Sequence, residues 1–484
     1  MLKVNIWNRQ ITRDRRRETF FISSPFPIII ILVALPLGLV LGRLDPILSV
    51  AITSVIVFAI IIVLRQFELA VTAVIVIRLY VDWYLGIGFA AQIVMVLLLA
   101  ILFLSPTLRR SWGAPQPLWL WFLFLAISIL PAIRGISLQD GAYYYFNVIF
   151  SAFIIYWIAI VIAQDFARVR LLFRILSFFG MLIAMHSIIQ ATTGTLLFGS
   201  SRFDAYLASI NNYQLFKGED AVRIGSFFVN PDLNGGFLAM MLFIPLGLFV
   251  ESTIIREKVL YLIEAFIMLI ALLFTYSSGA WSSVLAGVVV FLIFVGSARY
   301  RILLASVIFG VTMAMSFLFP SQINFLLRHA EAPNELALRT GAWQTGIGVI
   351  SAFPLTGIGL GRYVYLERAE PYRVLAQYRP LDHPHNSWLE FAALGGLPIA
   401  IVFTALLSFT LWLAFRNWIR AGAKTRAMFG GGIASVIALS VYSLSDAGWT
   451  AAPLLAMGWL ILGVVSSPII AKNRNREMMK EEKR

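Results

Sequence analysis

Runs of about 20 apolar residues recur along this chain, and no other feature restricts its fold as strongly. A run of that length and composition crosses the hydrocarbon core of a bilayer as a helix. Backbone N–H and C=O groups find no water there and must pair within their own segment. About fourteen spans (12–14) are predicted on this criterion, at residues 25–42, 46–64, 67–82, 87–104, 117–132, 143–163, 171–190, 234–250, 258–276, 279–296, 302–319, 388–415, 428–446 and 451–468. The composition agrees: 60% hydrophobic residues, 13% charged and a mean hydropathy of +0.86 exclude an ordinary soluble domain. The expected class is an all-α integral membrane protein. Cysteine is absent, which removes disulfides and thiolate metal sites.

The net charge of +14 sets topology. With the N-terminus in the cytoplasm the connections alternate. The inner ones then carry Arg13, Arg15, Arg16 and Arg17, then Arg65, Arg109 and Arg110, Arg168 and Arg170, Arg256 and Lys258, Arg299 and Arg301. Arg416, Arg420, Lys424, Arg426 and the basic tail complete the series. Roughly two thirds of the 38 basic residues fall on that side, as the positive-inside rule requires. Both termini are therefore expected in the cytoplasm, and nucleic acid is not needed to explain the charge. The start, KVNIWNRQITRDRRRE, runs into its apolar segment without a cleavage pattern and reads as a retained anchor.

The organisation that follows is a basic segment 1–24, a bundle 25–319, a large outer loop 320–387, three further spans in 388–468 and a basic tail 469–484. Two outer connections are long, 191–233 within the bundle and 320–387 before the twelfth span. Loops of this length are more often functional than accidental. The larger one is expected to be partly helical and holds His329, His383, His385 and six arginines. There is no repeat at periods of 20–50 residues, nor the paired broken helices of an inverted-repeat transporter.

Its segment NELALRTGAWQTGIGVISAF has helical spacing and puts Arg339 and Trp343 on one face. In PLTGIGLGRY, Gly357, Gly359 and Gly361 alternate; such a run can turn backbone N–H groups toward an anion, or simply make a tight turn. DHPHNSWLEFAALGGLPI then enters the next span, placing His385 at a helix start, where the dipole disfavours extra positive charge and favours a neutral, proton-accepting imidazole. His-x-His alone is too few ligands for a metal, and no acidic or histidine partner stands at diagnostic spacing, so no metal or other cofactor is expected. In the other long loop, Arg223, Asn230 and Asn234 precede a span rich in small residues. An arginine at the interface suits a phosphate by bidentate hydrogen bonding, or merely snorkels. Within the spans, Arg78 and Asp82 read as a structural pair, Glu264 and Asp446 as isolated acids, and His186 as a packing histidine. Trp112, Trp119 and Trp121 read as interfacial belt residues.

In this order the motifs resemble the O-antigen ligase and polymerase superfamily of bacterial envelope glycan transferases. The matching pieces are Arg-x-x-Gly-x-Phe-x-Asn-Pro at 223–231, Arg339 with Trp343, Phe-Pro-Leu-Thr-Gly-Ile-Gly-Leu-Gly-Arg-Tyr at 353–363 and His-x-His-Asn-x-x-Leu at 383–389, within roughly 130–465. Departures are Asp232 where many relatives carry Asn, Ser278 in place of a basic residue, Leu394 near an expected Glu and Ile399 in place of a second Gly. The resemblance implies a glycosyltransferase of the bacterial cytoplasmic (inner) membrane, with its site facing the periplasm or exterior. The donor would be an undecaprenyl-diphosphate-linked glycan and the acceptor a glycan or lipid A-core. It implies His385 as general base, with Asn386 or Asp382 orienting it and His383 the second choice for the base. Arg223, Arg339 and, more weakly, Arg362 would bind the diphosphate. Ligation and repeat-unit polymerisation both fit. From another class, so does a multi-span transporter or flippase, and a scaffold for envelope assembly is a third reading.

Overall fold

The computed structural model describes residues 116–163, 166–193, 223–228, 230–295, 333–374 and 382–467, with isolated helical positions between 298 and 320. The first four expected spans, the Arg78–Asp82 pair, Trp112 and both terminal segments lie outside them, as does most of the span at 302–319.

Everything described is helix and turn, with no strand among the described residues. In chain order the helices are α1 (Leu118–Ile127), α2 (Ile129–Ile133), α3 (Leu138–Tyr144), a π-helical turn (Tyr145–Phe150), α4 (Ser151–Ile162), α5 (Phe166–Thr193), α6 (Pro231–Met241), α7 (Phe243–Glu251), α8 (Ile255–Leu273) and α9 (Ser278–Phe294). After these come α10 (Pro333–Ala352), α11 (Val364–Arg368), α12 (Ser387–Gly395), α13 (Leu397–Arg420), α14 (Ala423–Tyr442) and α15 (Ala452–Ser466). Five helical stretches are long and apolar enough to cross a membrane: Leu138–Ile162, Phe166–Thr193, Pro231–Glu251, Leu397–Arg420 and Thr425–Tyr442. Leu118–Ile133, Ser278–Phe294 and Ala452–Ser466 are shorter apolar helices.

The expected span at 388–415 is two helices. Gly396 stands at φ +89°, a conformation only glycine adopts without strain, and the chain turns there before restarting at Leu397. The short α12 is thus a helix of its own, set off from α13 by the turn at Gly396. The span expected at 428–446 ends at Tyr442, leaving Asp446 in the turn that leads to α15.

Small residues let the helices approach closely: Gly247 of α7 lies against Gly431 of α14. Aromatic rings fill the volume beneath α12. Trp121 is fully buried, with ring centroids 4.8 Å from Trp459 and 5.2 Å from Tyr156, and Phe391 lies 4.6 Å from Phe403. Trp121 is therefore a core residue and not part of an interfacial belt, whereas Trp119 is exposed. Mid-helix Glu264 is buried and accepts a hydrogen bond from Ser177, so it is a partnered acid.

The two ends of the bundle differ. One gathers the starts of α6, α9, α12 and α15 with the ends of α5, α8 and α14. The other carries ion pairs of Arg170 with Glu251 and of Arg174 with Glu257, together with Arg426.

Candidate active site

The first end is built around the start of α12. Asn386 is its N-cap: extended at φ −163°, it accepts from Trp388 N at 3.0 Å and Leu389 N at 3.1 Å through Oδ1, satisfying two donors with no partner inside the helix. Its Nδ2 donates to Leu444 O at 3.1 Å. Ser387 N donates to Ser443 O at 2.9 Å, and Ser387 Oγ accepts from Trp449 N at 3.0 Å. The turn between α14 and α15 is thereby fastened to the start of α12, bringing Asp446 beside residues 60 positions earlier in the chain.

His385 sits at φ +50°, in the left-handed region that side chains other than glycine seldom adopt. Two bonds hold its peptide there. Its N–H donates to His383 Nδ1 at 3.1 Å, and its carbonyl accepts from Trp343 Nε1 at 3.3 Å. The second brings in α10, whose Arg339 lies one turn before Trp343.

The first bond also decides what each imidazole can do. Accepting an N–H occupies the lone pair of His383 Nδ1, so neutral His383 carries its proton on Nε2. That nitrogen faces Asp382 Oδ1 at 3.7 Å and Asp446 Oδ1 at 3.9 Å. His383 thus has no free lone pair for proton abstraction. His385 has its Nδ1 3.7 Å from Asp446 Oδ1, and its Nε2 makes no hydrogen bond among the described residues. A carboxylate facing Nδ1 favours the tautomer protonated there, leaving the Nε2 lone pair open.

Asp446 is itself fixed, accepting from Ala447 N at 2.7 Å through Oδ1 and from Tyr442 Oη at 3.0 Å through Oδ2. Burial would raise its pKa. The His385 and His383 rings and the Ala447 N–H outweigh that and hold it below the usual carboxylate range. Burial would lower the pKa of His383, but Asp382, Asp446, Glu390 and Asp232 leave it raised. Charging that ring requires a proton on Nδ1 and breaks the bond from His385, so geometry and field oppose each other there. Beneath the pair, buried Glu390 accepts from Tyr144 Oη at 3.2 Å and Thr450 Oγ1 at 2.6 Å.

His383, His385 and Asp446 each place a ligand atom within 4.8 Å of the others, so the fold supplies the third metal-ligand type that sequence spacing did not reveal. As oriented, however, His383 presents a protonated Nε2 to that triangle. Ligation through it would require breaking the bond from His385 N or forming an imidazolate. This arrangement suits proton transfer better than metal binding.

The arginines divide. Arg223 donates from Nε to Thr275 O at 3.0 Å and from Nη2 to Asp232 Oδ1 at 2.6 Å. Its segment is pinned to α5: Ser226 N donates to Gln190 Oε1 at 2.9 Å, Ser226 Oγ lies 2.7 Å from His186 Nδ1, and Phe227 stacks on the His186 ring. Asn230 caps α6, accepting from Asp232 N at 2.8 Å, and Asn234 donates to Ile224 O at 3.1 Å. Arg339 is half-buried and feels Asp232 and Tyr442 electrostatically. Its guanidinium makes no hydrogen bond or ion pair among the described residues.

Arg362 is elsewhere. Its N–H donates to Asp140 Oδ1 at 3.0 Å and its guanidinium lies over the Tyr363 ring. The preceding run docks on the far end of α12, with Ile358 N to Ala393 O and Gly359 N to Leu394 O, both 2.9 Å. That end is about 13 Å from the cap by helical rise. The amides of residues 357–360 and 362 are all bonded within the protein, so the run is a tight docking turn and not an anion cradle.

Five expected site residues therefore meet at one end, namely Arg223, Arg339, His383, His385 and Asn386. Asp446, Tyr442, Trp449 and Glu390 join them without having been singled out as partners. Trp449 and Thr450 in DAGWT carry no local signal for such a role.

No curated protein matches this chain. The family model described as O-antigen ligase matches residues 264–404, a stretch that takes in Arg339, His383, His385 and Asn386. The match at 264–404 supports placing this domain in the O-antigen ligase superfamily.

Proposed function

We propose that the protein is a glycosyltransferase that moves a glycan from an undecaprenyl-diphosphate carrier to an acceptor hydroxyl on the outer side of the cytoplasmic membrane. One observation carries the reading: among the described residues, His385 has Asp446 against Nδ1 and no partner on Nε2, at the end of the bundle where the Arg339 guanidinium makes no hydrogen bond or ion pair. The donor brings its own leaving group, so neither a nucleotide nor a metal is needed. His385 Nε2 takes the acceptor proton as the acceptor oxygen bonds to the anomeric carbon. The bond from that carbon to the phosphate oxygen breaks, and the lipid diphosphate departs with its charge held by Arg339. General-base help of this kind is worth about 10²–10⁴ in rate, and fixed cations add to it where water is scarce. A base and a phosphate clamp on opposite sides of the anomeric carbon would invert its configuration.

Asp446 orients His385, His383 fixes the His385 peptide, and Asn386 fixes α12 beneath them. Arg362 is left without a contact to this centre and serves the docking turn. Ligation to a lipid A-core and polymerisation of repeat units both use this chemistry, and the domain match is compatible with either. The transporter reading is disfavoured because the polar groups gather at one end of the bundle, away from the midplane where such proteins bind their cargo.

The test is a reconstituted transfer assay with an undecaprenyl-diphosphate oligosaccharide and candidate acceptors, read on a gel. A single shifted band supports ligation and a ladder supports polymerisation. Absence of any product with every acceptor, together with substrate flux into vesicles, would refute the transferase reading in favour of transport.

A further inference from the structure

We infer that Asp232 is a built-in counter-anion that occupies Arg223 between turnovers and must be displaced by the donor phosphate, so that it sets the affinity of the site. This rests on the diphosphate reading given above.

The Arg223 side chain is 9% exposed, and its Nη2 lies 2.6 Å from Asp232 Oδ1, the distance of a charge-assisted hydrogen bond. Both partners are held from behind. Arg223 Nε is fixed on Thr275 O, and Asp232 stands in the first turn of α6, its N–H bonded to the Asn230 cap. The carboxylate therefore sits where a phosphate oxygen would otherwise bind. Asp232 also interacts electrostatically with Arg339 and Asp446, so its charge is felt on both the phosphate-binding side and the histidine side.

Arg223 and Arg339 carry two positive charges, and Asp232 is paired directly with the first of them. A diphosphate thus meets an Arg223 that is already neutralised at contact unless Asp232 swings away. Once the carboxylate is displaced, Arg223 and Arg339 can both engage the diphosphate. When the lipid diphosphate product departs, Asp232 returns to Arg223 and speeds its release. Without this carboxylate the site would bind donor and product more tightly and let product go more slowly.

The test uses the full chain in lipid nanodiscs, with inorganic pyrophosphate as probe and calorimetry as readout. Asp232→Asn keeps the shape and a hydrogen bond but removes the charge. It is expected to tighten pyrophosphate binding about tenfold, the effect of deleting one nearby like charge in a partly buried site. In the transfer assay the same variant should lower KM for the donor and lower kcat. The double variant R223Q/D232N, whose neutral amides can still pair, should bind pyrophosphate more weakly than D232N alone. It also serves as the charge-balanced control if D232N folds poorly. Binding by D232N alone, with none by wild type, would also support the inference. Equal or weaker binding by D232N at an unchanged melting temperature would overturn it, making the pair purely structural, while wild-type pyrophosphate binding would leave the diphosphate reading standing. No pyrophosphate binding by any variant, together with no transfer, would overturn both.

Discussion

Replacing Asn386 by alanine tests how the candidate site is held together. Its Oδ1 caps two amides, at 3.0 and 3.1 Å, and its Nδ2 bonds Leu444 O at 3.1 Å, joining α12 to the turn that carries Asp446. Loss of an N-cap costs about 1 kcal/mol. Loss of the partly exposed bond to Leu444 adds about 0.5 kcal/mol, the low end for a hydrogen bond water can replace. The sum, ~1.5 kcal/mol, corresponds to about tenfold easier local opening. Hydrogen exchange measured by mass spectrometry on the full protein in nanodiscs should show the Trp388 and Leu389 amides exchanging about tenfold faster in Asn386→Ala. Asn386→Asp keeps the cap and loses only the Leu444 bond, so its exchange should rise about twofold. Unchanged exchange in the alanine variant, or equal exchange in both variants, would refute this account of how α12 begins.

His383→Ala should cut kcat while His383→Asn recovers part of it, because an asparagine carbonyl can accept the His385 N–H and hold its left-handed peptide; equal loss in both variants would contradict a positioning role. Gly357→Ala should lower the melting temperature or block expression, since φ is +58° and a Cβ there would strike the Leu394 carbonyl; the strain alone is about 1–3 kcal/mol, and an unchanged melting curve would refute the tight docking. Acid stability should depend on Asp446. Its folded pKa lies below the 3.8 of an ordinary aspartate, so its stabilisation is complete above that value and is lost only as pH falls through the lowered folded value. Melting temperatures should therefore hold between pH 7 and pH 4 as far as Asp446 is concerned and fall for wild type between pH 4 and pH 2, with a shallower acid limb in Asp446→Asn; identical profiles would contradict the His385–Asp446 contact.

The sequence showed what local physics writes into it. Long apolar runs gave the helical membrane class. The Asn-Pro-Asp start of α6 and the His-Asn-Ser start of α12 are caps that act within three residues of themselves, although neither asparagine is read as a cap above. What it hid depends on chain reversal. Asp446 looked like an isolated acid because its partners, His383 and His385, lie 63 and 61 residues earlier and meet it only when Ser387 and Asn386 bind the 443–449 turn. The same contact completes a three-ligand cluster that residue spacing did not disclose. Arg223 read as a free phosphate ligand, yet Asp232, brought back by one cap and one turn of α6, occupies it. Gly396 was read inside a continuous apolar run, where its positive φ leaves no trace in hydropathy. Trp121 was placed at an interface by its position near a span end, while packing against Trp459 draws it into the core.

The most direct test of the central claim is the initial transfer rate of His385→Gln against wild type, in the same nanodiscs and at saturating donor. The account predicts a fall of about 10²–10⁴ in an enzyme that stays folded, because the His385 peptide keeps its bonds to His383 and Trp343 whatever side chain it carries and only the side-chain contact with Asp446 is altered. A His385→Gln enzyme that works within threefold of wild type would show that some other group takes the acceptor proton.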